Sequence, residues 1–286
     1  MDIGIRLHDT VPGTLEERLR FVRGQGFSCA HLALSKAVEG FSMNDAPARL
    51  ADPDFAPEVK SAFEKTDMRC AVLGCYLNLA DPDPESRERT REIYCAHLRF
   101  APKMGAETVG TETPANPASP FAEKAAESEE AFSFFLDCLR PVVRCAEENG
   151  AILAVEPVYR HIVSTPKRAL RMLEEINSDS LRIILDAVNL LGPDTAGRAE
   201  EIIGEAIRLL GDRVSVLHMK DCMTAQGSVE ALPCGMGDMK YEALLSFAAE
   251  RNLPMTLENT APENAEAARL YLEKKAVEAG VGGICK

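Results

Sequence analysis

The run "AILAVEP", residues 151–157, stays apolar for five residues and then ends abruptly in a carboxylate, Glu156, and a proline. Short apolar runs bounded by turn residues have the character of strands buried inside a domain. An ionised glutamate buried alone in apolar surroundings costs several kcal/mol unless it is paired or bound to a cation. What this strand packs into, and what Glu156 faces, are the two questions the rest of the chain answers.

Seven other segments share its character. They are "IGIRLH" (3–8), "CAHLAL" (29–34), "CAVLGCYLN" (70–78), "ETVGTET" (107–113), "LRIILDAVN" (181–189), "VSVLHMKD" (214–221) and "PMTLENT" (254–260). Longer, charge-speckled helical stretches lie between them, among them 14–26, 84–105, 127–150, 165–178, 196–212, 240–252 and 261–280. Their punctuation fits: Thr14 and Thr165 are good N-caps, Pro166 suits a first helical position, and Gly26, Gly105 and Gly150 stand where helices should stop. Apolar strands alternating with helices predict a parallel sheet covered on its faces. Eight units in 286 residues give about 36 residues each, the natural size of a closed (β/α)8 TIM barrel in the α/β class. An open doubly wound sheet is the competitor, but "RLHDTVPGT" after the first strand does not match the glycine-rich phosphate turn G-x-G-x-x-G.

No linker or composition break divides the chain, so a single domain over 1–286 is expected, with 116–130 as a surface excursion that covers the barrel mouth or serves a subunit contact. The net charge of −13 argues against nucleic acid and an anionic membrane surface, both of which need a basic face. Nine cysteines include no C-x-x-C pair, and Cys29, Cys70 and Cys145 sit in or beside apolar runs. They are expected to be buried free thiols in a reducing compartment. The N-terminus "MDIGIRLHDT" shows no signal-peptide pattern and no apolar run approaches the ~20 residues a bilayer needs. A cytoplasmic location is expected, with homo-oligomerisation left open.

The carboxyl ends of all strands in a parallel barrel open onto one face, and sites are built there. The fifth run ends in Glu156, the sixth in Asp186, the seventh in His218 and the eighth in Glu258, spaced by 30, 32 and 40 residues. Each interval is one strand–helix unit, so the four side chains should converge. Any one of them alone is readily explained as a helix cap, an ion-pair partner or a packed histidine. Three crowded carboxylates repel and raise one another's pKa values, and a divalent cation removes that problem. A mostly oxygen shell with one imidazole suits Mn²⁺ or Mg²⁺, with Co²⁺ also accommodated, rather than structural zinc. Asn78 and Glu112, ending the third and fourth runs, His8, ending the first, and Arg160, His161 and Lys220 are further candidates for holding substrate. Arg160 and His161 follow Glu156 directly and are candidates for holding hydroxyls or a phosphate, with a turn or surface role as the equal alternative for each of these residues. His31 and His97 are read as packing residues, and Asp238 in "CGMGD" (234–238) as a cap for the next helix.

The segments "AVEPVYRHIVSTPKRAL" (154–170), "IILDAVNLL" (183–191), "VSVLHMKD" (214–221), "CGMGDMKYEALL" (234–245) and "LPMTLEN" (253–259) resemble the xylose isomerase-like barrel superfamily, and within it the sugar phosphate isomerase/epimerase branch. The resemblance extends over most of the chain, including residues 76–113. It implies that Glu156, Asp186, His218 and Glu258 are metal ligands, with Mn²⁺ as first expectation and Mg²⁺, Co²⁺ or Zn²⁺ as alternatives. It also implies that Glu156 and Glu258 form the acid/base pair of a proton transfer next to a sugar carbonyl, through a metal-stabilised enediolate. The implied partner is a small-molecule sugar or sugar phosphate. In the ketose 3-epimerases of the superfamily a substrate-binding histidine follows the sixth-strand Asp by three residues; here Asn189 stands there and is itself a candidate for holding substrate. Those enzymes also carry an arginine shortly after the seventh-strand His, where this chain has Met219, Lys220 and Asp221, so their substrate contacts do not carry over. The same ligands would also serve a dehydratase, a keto-acid isomerase or a non-catalytic sugar-binding barrel. The superfamily's endonucleases need a histidine-rich cluster and a basic face, which five histidines and a charge of −13 do not supply.

Overall fold

Eight of the apolar runs hydrogen-bond side by side into a closed parallel barrel in the computed structural model, which describes residues 1–113, 128–225 and 228–281. The barrel strands are β1 (Ile3–Arg6), β2 (Cys29–Leu32), β3 (Arg69–Gly74), β4 (Val109–Glu112), β5 (Leu153–Glu156), β6 (Leu181–Asp186), β7 (Val214–Met219) and β10 (Met255–Leu257). Each pairs in parallel with the strand before it in the chain, and β1 closes the ring against β10. Inserted between β7 and β10, β8 (Asp221–Ala225) and β9 (Ser228–Leu232) make a separate antiparallel ribbon that the sequence reading does not foresee.

The expected helices form close to their predicted places: α1 (Leu15–Gly24), α5 (Pro84–Met104), α6 (Glu129–Asn149), α7 (Pro166–Ile176), α8 (Ala199–Leu210), α9 (Glu242–Arg251) and α10 (Ala265–Glu278). Thr14 and Glu17 close a capping box on α1, Thr165 accepts from the Arg168 N–H on α7, and Gly105 and Gly150 end α5 and α6 in the left-handed conformation. Asp238 caps nothing: α9 starts after Tyr241 with no side-chain cap. The long β2–β3 connection, unassigned from the sequence, holds α2 (Leu34–Ala37), α3 (Ala46–Ala51) and α4 (Phe55–Lys65). Helix α4 buries Phe55, Val59, Ala62 and Phe63, a helical spacing that seats it on the barrel. Most of the predicted excursion at 116–130 lies outside the described residues.

The large core lies between strands and helices. Inside the barrel, Cys29, Ala71, Val72, Ala154, Ile184 and Val216 form a separate apolar plug, and a Cβ on Gly110 would press into Val72 and Ile184. Strand side chains alternate between faces, so the residues two further along point the same way. Those residues are His31, Glu112, Glu156, Asp186 and His218. The barrel is thus dry below and ionisable above, and the plug denies water to the charged layer from beneath. All eight described cysteines are free, seven of them buried, Cys29, Cys70 and Cys145 included. Among the described residues no helix is long and apolar enough to cross a membrane.

Candidate metal and proton-transfer site

Two strand registers assemble the centre. Asp186 is the register partner of His218 and Glu112 of Glu156, while Glu258 follows β10 directly and its N–H donates to the Met219 carbonyl. His218 Nδ1 lies 3.1 Å from Glu156 Oε2 and 3.2 Å from Glu258 Oε1, so one imidazole edge stands between two carboxylates. Lys220, two residues beyond His218 on the same face, places Nζ 2.9 Å from Asp186 Oδ2 and 3.4 Å from Glu258 Oε2. The approach to Asp186 is a charge contact rather than an aligned hydrogen bond, because that oxygen has no hydrogen-bond partner among the described residues. Asp186 Oδ1 is fixed by the N–H groups of Val188 (2.9 Å) and Asn189 (3.0 Å). The Asn189 side chain donates to Glu156 Oε1.

Burial and crowding shift these groups in ways the contacts explain. Burial alone would lower the His218 pKa, but Glu258 and Glu156 outweigh it and raise it to about 9. Burial raises Asp186 to about 6 despite Lys220. Glu258 goes the other way: burial would raise it, yet His218, Lys220 and Arg6 hold it well below the usual carboxylate range. Glu112, half-buried beside Glu156, is pushed up by burial and then by Glu156 and Glu258, to about 7.

Above these groups opens a cavity of about 430 Å³, walled by Glu112, Glu156, Asn189, Lys220 and Glu258 and, on its β1–β2 side, by Arg6, His8, His31 and Lys36. Asp186 and His218 lie beneath its floor, both buried. Of the residues singled out in the sequence, the structure therefore brings together Glu156, Asp186, His218, Glu258, Glu112, Asn189, Lys220 and His8. It does not bring Asn78, Arg160 and His161 to the cavity wall. Strand β3 ends at Gly74, four residues short of Asn78, whose Oδ1 instead accepts the Ala80 N–H in a local turn. Arg160 sits at φ +70° in a tight turn closed by Val158 N–H to Val163 O, with its guanidinium 5.4 Å from the Tyr159 ring centroid. His161 follows in that turn, half-buried.

Several wall residues, Lys36 among them, are missed by the sequence reading. His31, read as packing, is buried yet stacks on the His218 ring (centroids 5.3 Å apart, planes at 17°) with Nδ1 4.0 Å from Glu258 Oε1. Arg6 places Nη1 3.5 Å from Glu258 Oε2. The available signal was strand phase: His31 stands two residues beyond the plug residue Cys29, as Glu156 does beyond Ala154. His97, by contrast, is the packing residue expected, buried with Nδ1 on the Ile93 carbonyl.

A cation fits this donor set. Glu156, Asp186 and His218 offer ligand atoms within 4.8 Å of one another, as do His31, His218 and Glu258. Both ring nitrogens of His218 are buried without a hydrogen-bond partner among the described residues, which is costly unless something else engages them. A divalent cation at this place would take over the neutralising role of the His218 proton, so its binding releases protons.

A family model described as xylose isomerase-like TIM barrel matches residues 20–275. No curated protein matches the sequence. Among solved structures, a 3-keto-D-glucoside 4-epimerase from E. coli, in its apo form, superposes with a TM-score of 0.74 at 18% identity, covering 96% of this chain and 99% of that one. The IolI protein with a bound zinc atom gives 0.72 at 17% identity, covering 98% of each chain. A xylose isomerase-like TIM barrel protein from Mycobacterium smegmatis in complex with magnesium gives 0.72 at 16% identity, covering 97% of each.

Proposed function

The chain belongs to the xylose isomerase-like TIM barrel family, and from that premise we propose that it is a divalent-metal-dependent isomerase or epimerase acting on a small sugar or sugar derivative. The observation that carries this reading is the pair of carboxylates, Glu156 and Glu258, which converge at 3.1 and 3.2 Å on one nitrogen, Nδ1, of a buried imidazole at the base of a sugar-sized cavity. Epimerase and metal-bound structures among the similar folds are in keeping with it.

Glu156, Asp186, His218 and Glu258 are the residues that would hold the cation, with Mn²⁺ or Mg²⁺ best suited to three carboxylates and one imidazole, and Co²⁺ or Zn²⁺ as alternatives. When bound, it supplies Lewis-acid polarisation of a substrate carbonyl and its neighbouring hydroxyl. The chain's own groups then divide the proton work. Glu258, kept ionised by His218, Lys220 and Arg6, is the base that takes a proton from the carbon beside the carbonyl. Glu156, oriented by Asn189, is assigned the return of a proton, from the opposite face of the substrate, to that carbon or its neighbour. Return to the same carbon inverts it; delivery to the neighbour moves the carbonyl. Glu112, with its pKa near 7, can offer a hydrogen bond to a substrate oxygen on the β4 side. The free cysteines are in keeping with a cytoplasmic setting.

The test combines metal analysis of the purified protein with solvent-deuterium incorporation into a panel of ketoses and keto sugars. The wild type should carry a divalent ion and exchange one carbon-bound hydrogen. Glu258→Gln should cut exchange by about 10² to 10⁴ while still binding sugar. A protein that takes up no divalent ion, and whose Glu156→Gln and Glu258→Gln forms behave as wild type, would refute the proposal.

A further inference from the structure

The cavity is electrically lopsided. Glu112, Glu156 and Glu258 wall its β4–β5 and β10 sides, whereas Arg6, His8 and Lys36 meet at its β1–β2 corner, with Ser35 and Asn259 beside them. Lys36 forms no ion pair among the described residues. Arg6 commits Nε to Asp9 at 2.8 Å and lays Nη1 3.5 Å from Glu258 Oε2, which leaves further guanidinium donors for the cavity. The His8 ring is half-buried against the same corner and its Nδ1 is buried without a partner among the described residues. Burial, Arg6 and Lys36 lower its pKa to about 4, so near neutral pH the ring is uncharged, with one N–H to donate.

An anion approaching a chain of net charge −13 is repelled at long range, so its capture requires a local, uncompensated cation in a recess. The β1–β2 corner is such a recess. We propose that the substrate carries an oxyanion, a carboxylate or a phosphate, which docks on Lys36, Arg6 and His8 while its reacting carbon lies over His218. Only the identity of the reacting end rests on the isomerase/epimerase reading; the corner stands on its own charges. The His218, His31 and His8 rings step 5.3 Å and then 6.3 Å from the proton-transfer centre to the corner, a path that a short hydroxylated carbon chain with a terminal oxyanion spans. The carboxylate wall enforces the orientation, because an anion placed there would face Glu112 and Glu156. This corner also takes the role that the sequence assigns to Arg160 and His161, which do not reach the cavity.

Calorimetric titration of the metal-loaded protein with glycerol, glycerol 3-phosphate and 4-hydroxybutyrate tests it, with wild type and Lys36→Met in parallel. Lys36 is exposed and makes no ion pair among the described residues, so the variant should melt as wild type does. At least one anionic probe should bind wild type about tenfold or more tighter than glycerol, and Lys36→Met should lose most of that gain. Preference for the phosphate or for the carboxylate identifies which oxyanion the corner takes. Anions that bind no better than glycerol, or a Lys36→Met form that binds them as wild type does, would overturn it. None of the probes has a carbonyl, so anion capture is read independently of proton transfer. Its failure leaves the isomerase reading intact for a neutral sugar, and anion capture without deuterium exchange leaves the corner intact without that reading.

Discussion

Lys220 Nζ lies 2.9 Å from Asp186 Oδ2, with both groups almost wholly out of solvent. Burial would lower the lysine's pKa, but Asp186 and Glu258 raise it above its ordinary value, so it stays charged and acts as the standing counter-ion of the carboxylate cluster. Removing it leaves buried negative charge uncompensated. Lys220→Met should destabilise the chelator-treated protein by about 3 kcal/mol, and saturating Mn²⁺ or Mg²⁺ should recover most of that loss. Thermal melts with chelator and with metal measure both; equal metal-induced shifts in variant and wild type would contradict the assignment.

Gly74 ends β3 beside His31, and a Cβ there would stand 2.7 Å from His31 Nε2 and 2.8 Å from the Tyr76 ring. Its φ is not in the left-handed region, so a substitution meets only a steric obstacle. Gly74→Ala should cost about 1–3 kcal/mol through overpacking and displace His31 from its stack on His218. The His31 ring resonances should shift in NMR spectra, and deuterium exchange into substrate should slow more than Tm falls. Unchanged His31 resonances would show that the ring does not need this space.

Asp221, buried at the start of β8, accepts the N–H groups of Cys222, Gly235 and Met239, each at 2.9 Å. One carboxylate thereby ties the 234–239 loop to the end of β7, and Gly237 lets the loop pass close to the Cys222 carbonyl. Asp221→Ala should destabilise the protein by about 2–4 kcal/mol by leaving buried amides unpaired. Amide exchange should accelerate first at Gly235 and Met239; uniform acceleration across the barrel would indicate global loss instead.

His97 is buried on α5 and burial lowers its pKa to about 4, although the Ile93 carbonyl opposes this. In the unfolded chain the ring titrates near 6.5, so the unfolded state takes up a proton first as pH falls. Its contribution is complete above about pH 6.5 and is lost progressively toward pH 4, by about 3 kcal/mol. His97→Phe, which keeps the ring packed near Phe41, should flatten the stability profile between those limits. Denaturant melts at pH 7 and pH 4.5 check this; parallel profiles for the two proteins would rule it out.

The barrel and the four central side chains were legible in the sequence because both depend on local pattern. A strand's apolar run shows where it is buried, and in a parallel barrel each strand's last inward residue falls on one rim whatever the connecting helices do. Hence Glu156, Asp186, His218 and Glu258 could be picked out from "AILAVEP" and its counterparts. The structure departs from the reading where a run was extended past its strand, as at Asn78, and where adjacency to Glu156 stood in for a place on the cavity wall, as at Arg160 and His161. Arg160 stands at φ +70° in a tight turn, with its guanidinium beside the Tyr159 ring rather than on the cavity wall.

By itself the sequence determined the strand–helix alternation, the closed parallel barrel and the acidic rim on which Glu156 stands. The tertiary structure alone decided which charges answer that rim. His31 against His218, Arg6 against Glu258 and Lys220 against Asp186 join residues 187, 252 and 34 positions apart. Their meeting depends on ring closure between β1 and β10 and on the stagger of neighbouring strands. Those are properties of the assembled sheet, and no local run of residues encodes them.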